Sequence, residues 1–109
     1  MALHHVVSGE VVDLRPLGEA IAGAKTSALV KTDAFEAVRL IVHRGRELPS
    51  HNVPGPITLH CLEGRVLLGL ADAEVQLAAG EWIYLDGGVE HSVKGLEDSA
   101  LLLTILFGR

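Results

Sequence analysis

The chain has 109 residues with one cysteine, carries a formal net charge of −5, and is 49% hydrophobic and 21% charged. This length fits one domain with a single core and excludes a second domain of ordinary size. The acidic balance, without a basic cluster, excludes a nucleic-acid-binding surface, and no apolar run approaches the roughly 18 residues expected of a membrane span.

The compartment is predicted from the cysteine count and the first residues. Cys61 has no second cysteine with which to form an internal disulfide. Residues 1–8 have neither the positive region nor the long apolar stretch of a secretion signal. We therefore expect a protein of the reducing cytoplasm that contacts neither nucleic acid nor membrane.

In chain order, the predicted elements begin with an N-terminal arm, residues 1–27, that contains one short helix. Leu17 and Ile21 share one face of this helix, and two glycines keep it short. Residues 28–109 are predicted to form a β-barrel, so that the chain is a single domain over 1–109.

Short apolar runs cut by glycine, proline and aspartate predict the strands of this barrel. Eight strands are predicted, at about 28–31, 35–44, 57–62, 65–70, 74–77, 81–85, 91–94 and 99–107. The stretch 48–56 contains three prolines and is predicted to be a loop that enters a strand. A tight turn between two antiparallel strands is predicted at 62–65, and a second turn at 71–73.

Two of the predicted strands, 35–44 and 99–107, are apolar on both faces. An antiparallel sheet with one face in water alternates apolar and polar residues instead. We therefore expect the outer faces of these strands to be covered. A second copy of the chain is the simplest cover, and a homodimer is predicted.

Histidines are the candidate reactive groups. His51 lies in the predicted loop 48–56, and His91 follows a turn at 86–88 and begins a strand. Imidazole binds transition metals and also moves protons near neutral pH. Two histidines that converge from different strands could do either, or could be ordinary polar residues at the mouth of a barrel.

The residues around His51 resemble the first motif of the cupin superfamily. That motif reads G-x5-H-x-H-x3-E-x6-G, and Gly45, His51 and Gly64 match it in register. The run 80–95 resembles the second motif, G-x5-P-x-G-x2-H-x3-N.

In the second motif the matching residues are Gly80, Gly88 and His91. The resemblance covers most of residues 35–107 and implies an all-β fold, the double-stranded β-helix or jelly-roll barrel. It also implies a compact, single-domain protein that is usually dimeric.

The motifs also depart from the family pattern at ligand positions. Metal-binding cupins use two histidines and a glutamate from the first motif and one histidine from the second. Here Val53 replaces the second histidine and Ile57 replaces the glutamate, so that His51 and His91 remain. The resemblance therefore implies a reduced metal site on His51 and His91, with Fe, Mn, Ni or Zn as the possible cofactor, or no metal site.

Three other residues could replace the lost ligands. Strand alternation directs Cys61 inward with Ile57 and directs His60 outward, where it is predicted to be a surface or interface residue. Cys61 is predicted to be a small core residue. The direction of His43 is left open by the sequence, and it is kept as a possible third ligand.

An apolar pocket follows from the same substitutions. Val53, Ile57 and Leu59 would line the interior of the barrel, with His51 and His91 as its polar points. Two aromatic residues that share a strand face, Trp82 and Tyr84, could line this pocket or pack in the dimer.

Three functions are compatible with these residues. The first is a small cupin that binds an unassigned small molecule in the apolar pocket. The second is a metal-dependent enzyme, of the dioxygenase or isomerase type, with the reduced histidine set. The third is a metal-free acid–base enzyme in which a histidine works with Asp86 or Glu90, the acids nearest in sequence. The fold alone decides none of these, because one barrel supports unrelated chemistries.

Overall fold

The computed structural model describes residues 5–107, and the predictions for 1–4 and 108–109 lie outside that range. Two antiparallel sheets pack face to face around one apolar core. The strand order is β1-β2-β9-β4-β7 in the five-stranded sheet and β3-β8-β5-β6 in the four-stranded sheet. This arrangement confirms the predicted all-β jelly-roll barrel.

All eight predicted strands are present, and the structure adds one more. The elements are a 3-10 helix at Gly18–Gly23, then β1 Ser27–Lys31, β2 Phe35–Val42, β3 Glu47–His51, β4 Ile57–Glu63, β5 Arg65–Gly69, β6 Glu74–Ala78, β7 Trp82–Leu85, β8 His91–Gly95 and β9 Ser99–Leu106.

The core lies between the two sheets and follows strand alternation. In β4 the residues Ile57, Leu59 and Cys61 are buried, and the residues between them face outward and are half-buried. Leu101 of β9 and Leu68 of the opposite sheet close the same core. These strands therefore present one apolar face to the interior, as a period of two requires.

The prediction of a loop over 48–56 is wrong in its first half, because Leu48 to His51 belong to β3. This strand pairs with β8, with a register shift between Leu48 and His51. It is an edge strand, where Pro49 removes no ladder hydrogen bond that the sheet needs. The three prolines therefore did not mark the absence of a strand.

The turn predicted at 62–65 does not connect two paired strands. Strand β4 belongs to the five-stranded sheet and β5 to the four-stranded sheet, so the chain crosses between sheets at Gly64. The turn at 71–73 does close a hairpin, since β5 and β6 pair from Gly69↔Glu74 onward.

The N-terminal helix is a 3-10 helix that covers one end of the outer face of the five-stranded sheet. Its Ile21 packs on Ile41 and Ala100. Both carboxylate oxygens of Glu63 accept backbone hydrogen bonds at its start, from Leu17 N at 2.7 Å and from Gly18 N at 2.9 Å. Part of the apolar outer face is thus covered by the chain's own arm. Across 5–107, no helix has the length and apolar character that a membrane span needs.

Candidate ligand-binding site

A cavity of about 160 Å³ lies between the two sheets. It is lined by Leu40, Leu48, His51, Val53, Ile57, Leu59, His91, Val93, Leu103 and Ile105. The five residues that the sequence assigns to a pocket, His51, Val53, Ile57, Leu59 and His91, all line this cavity. Their role in binding remains a prediction, but the structure brings them together.

The other lining residues were missed because they depend on strand register. Leu103 stands opposite Leu59, and Ile105 opposite Ile57, in the pairing of β9 with β4. Both are half-buried although they face inward, because the cavity leaves their side chains without full packing. Sequence alternation alone could have shown that they face inward, but not which neighbours they meet.

A second depression adjoins the first and shares Val53 and Ile105 with it. Its other lining residues are Glu36, Pro54, Gly55 and Phe107. The shared residues make Val53 part of the boundary between the two spaces.

His51 and His91 face each other across the β3–β8 ladder. They are direct Cα partners in that pairing, and their ring centroids are 4.6 Å apart at an interplanar angle of 53°. His91 is buried, with 5% of its surface exposed, and His51 is exposed. The strand that the sequence missed is therefore the element that places His51 beside His91.

Backbone carbonyl oxygens determine which nitrogen of each imidazole ring carries the hydrogen in its neutral form. His51 Nδ1 lies 3.3 Å from Pro49 O, and His91 Nδ1 lies 3.1 Å from Val89 O. A carbonyl oxygen can only accept, so each Nδ1 donates its hydrogen to it. In the neutral imidazole, each Nε2 then carries a lone pair and no hydrogen.

The Nε2 atom of His91 is free to bind a ligand. Within residues 5–107 this nitrogen has no hydrogen-bond partner. Every fully buried side-chain polar atom in that range does have a partner. The Nε2 atom is therefore not fully buried. The ring is otherwise buried and lines the cavity. The otherwise apolar cavity therefore contains a nitrogen lone pair that can accept a hydrogen bond or coordinate a metal.

The donor set does not fit a metal centre with three or more protein ligands. Val53 and Ile57 stand at the two lost ligand positions on the cavity wall, and neither has a lone pair to donate. Within 5–107, no group of three or more His, Cys, Asp or Glu side chains could hold an ion. Catalytic zinc sites normally have three protein ligands, and two are present here.

The candidate replacement ligands lie elsewhere. His43 Nε2 is 3.1 Å from Ala24 O, and its Nδ1 is 3.7 Å from the Asp98 carboxylate, so His43 joins the arm to the barrel. His60 is on the outer face of the five-stranded sheet, paired with Trp82.

Cys61 is a core residue rather than a ligand. Its thiol donates to Glu63 O at 3.4 Å and to Gly64 O at 3.6 Å. Burial raises the pKa of the Cys61 thiol above its ordinary value. The side chain is therefore held as the neutral thiol that a core position favours.

The acids considered for proton transfer have other partners. Asp86 Oδ1 accepts a 2.7 Å hydrogen bond from Tyr84 Oη, and Glu90 Oε1 accepts one of 3.3 Å from Ser50 Oγ. Neither acid lines the cavity in the described part of the chain. Tyr84 and Trp82 are exposed on the outer face, so they do not line it either.

Comparisons with known proteins agree on the fold. A conserved protein of unknown function from Streptococcus pyogenes matches with a TM-score of 0.79 and 18% identity, over 100% of this chain and 97% of that one. A cupin superfamily protein from Desulfitobacterium hafniense matches with a TM-score of 0.79 and 15% identity, over 99% and 100%. An RmlC-like cupin from Shewanella frigidimarina matches with a TM-score of 0.73 and 21% identity, over 97% and 93%.

At these identities the likeness establishes the fold, and the chain has the cupin fold that its two motifs predicted. No family model matches the sequence, and no curated protein does.

Proposed function

We propose that this protein binds a small, largely apolar molecule in the cavity between its sheets. The observation that carries the proposal is the cavity wall, in which eight of ten residues are aliphatic and the other two are His51 and His91. Small-molecule sites commonly combine such an apolar wall with a few convergent polar groups.

The size of the cavity sets the size of the ligand. Its volume of about 160 Å³ is close to that of an engineered apolar cavity of about 150 Å³ that binds benzene. At about 24 cal/mol per Å³, filling such a space with apolar atoms is worth roughly 4 kcal/mol. A binding free energy of that size would correspond to a Kd of about 1 mM. Because association also costs translational and rotational freedom, we expect a bare six-membered ring to bind with a Kd of about 1 mM or weaker.

Toluene is a suitable probe of this proposal, with Val53→Phe as the variant that narrows the cavity. Val53 is half-buried at the boundary of the two depressions, so a larger side chain there blocks access. Val11→Phe is the matched control, because Val11 is 91% exposed. At about five times Kd, toluene should raise Tm by about 4–8 °C in the unmodified chain and in Val11→Phe.

The Val53→Phe variant should show no such rise. The proposal is wrong if toluene leaves the Tm of the unmodified chain unchanged, or if it stabilises the blocked variant equally.

A metal-dependent enzyme is the second candidate. It is favoured by one observation, the carbonyl-bound Nδ1 atoms of His51 and His91, since metal-binding histidines also donate their second nitrogen to such partners. It is the weaker candidate because two further ligands are missing.

Metal analysis by plasma mass spectrometry, after exposure to Fe, Mn, Ni and Zn, separates the two candidates. About one metal per subunit, lost in both His51→Ala and His91→Ala, would favour the enzyme. Metal well below one per subunit would exclude it.

A further inference from the structure

We infer that the cavity takes a neutral molecule about one ring in size, whose single hydroxyl or N–H group donates a hydrogen bond to the histidine pair. The inference rests on the proposed function and specifies its ligand class. Three properties of the site support it: the hydrogen-bonded Nδ1 atoms of both imidazoles, the charge around the cavity, and the volume of the cavity.

The histidine pair presents acceptors. Because Pro49 O and Val89 O engage the Nδ1 hydrogens, the neutral rings of His51 and His91 have lone pairs left at Nε2. A ligand that meets this nitrogen must bring the hydrogen itself. A ketone or ether oxygen, which can only accept, would leave two acceptors facing each other without a proton.

The charge around the cavity disfavours an anion. No lysine or arginine lines either depression within the described residues, and the charged residue at the second one is Glu36, an acid. A carboxylate that entered would lose its hydration without gaining a cation, which is costly in an apolar site. Glu36 adds repulsion of the same sign.

The volume of the inner cavity suits an apolar part of one ring or a short branched chain. A phenol-sized molecule fits a cavity of about 160 Å³, and a longer chain would extend past Val53 toward Glu36. With its ring inside, the hydroxyl meets His91, a residue only 5% exposed. A hydrogen bond made in such a poorly hydrated place discriminates strongly between ligands that can and cannot make it.

The test compares phenol, toluene and benzoate by calorimetric titration of the whole protein at pH 8. Phenol keeps its proton at this pH and benzoate is ionised. Phenol should bind about 3- to 10-fold more tightly than toluene, and benzoate should bind more weakly than both.

Variants locate the hydrogen bond. In a His51→Leu, His91→Leu double variant, phenol and toluene should bind alike, whereas His60→Leu, on the outer face, should keep the preference. His91→Gln keeps a hydrogen-bond acceptor near the position of the His91 Nε2 atom, and this variant should retain part of the preference for phenol over toluene. Should the double variant not fold, the ligand series on the unmodified chain still decides.

The outcomes separate this inference from the proposed function. Toluene binding as tightly as phenol, or benzoate binding most tightly, overturns the inferred ligand class and leaves apolar binding standing. Absence of binding by all three overturns both. A phenol preference that survives in the folded double variant also contradicts the assignment to the histidine pair.

Discussion

Two residues change the chemistry of this barrel. Val53 and Ile57 occupy the positions where the first motif has a histidine and a glutamate, and both lie on the cavity wall. Each replaces a group that needs hydration or a metal with one that favours apolar contact. His51 and His91, which match the other two ligand positions of the motifs, are the polar residues of an otherwise apolar cavity lining.

Asp86, which stands where the second motif has a proline, has a structural partner. It accepts a hydrogen bond from Tyr84, and this bond, with smaller contributions from desolvation and the negative charge of Asp86, raises the pKa of Tyr84. Asp86→Asn should therefore lower that pKa toward the ordinary value of about 10.

The chain has one tyrosine, so absorbance at 295 nm during an alkaline titration reports Tyr84 alone. Glu90→Gln serves as the control because Glu90 contacts Ser50 instead. Identical titration curves for the unmodified chain and Asp86→Asn would refute this assignment.

At the scale of elements, alternation and turn residues predicted every strand that contains an apolar run. The strand that was missed, β3, is mostly exposed and polar, and it exists because β8 offers it backbone hydrogen bonds. Local sequence does not report such a partner. For the same reason the turn at 62–65 was assigned to a hairpin, since which sheet a strand joins is decided by long-range pairing.

The crossing between the sheets should depend on Gly64. It has a φ of +85°, and an added Cβ would press against Asp98 O and Ser99 Oγ. Gly80 is the matched control, with a φ of +89° and open space around it. Gly80→Ala should cost about 1–2 kcal/mol from backbone strain alone, and Gly64→Ala about 1–3 kcal/mol more.

Urea denaturation measures both changes in the free energy of unfolding. Equal losses in the two variants would show that the close approach at Gly64 relaxes without cost.

For the whole molecule, the expectation of covered outer faces is met in part by the arm. At the uncovered end of the five-stranded sheet, Trp82 is 60% exposed and Tyr84 49%. His60 on the neighbouring strand pairs with Trp82, and Leu102 on the strand beyond pairs with His60. Large exposed aromatic residues on one sheet face are typical of interaction surfaces. We propose that a second copy of the chain packs here.

Light scattering in solution tests this proposal. The unmodified chain should have twice the mass of one subunit, and Trp82→Glu should shift it to the monomer, because a carboxylate buried in the interface would lack a partner. Val11→Glu, in the exposed arm, should remain dimeric. A monomeric unmodified chain, or a dimer unaffected by Trp82→Glu, would contradict the surface assigned here.

The central claim is that the cavity beside His51 and His91 is the binding site. Methyl chemical-shift mapping during a phenol titration tests it most directly. The largest shifts should fall on Val53, Ile57 and Leu59, with the ring signals of His91 moving at the same phenol concentrations. Shifts centred instead on Leu102 and the outer face near Trp82, or no saturable shifts at all, would contradict the account.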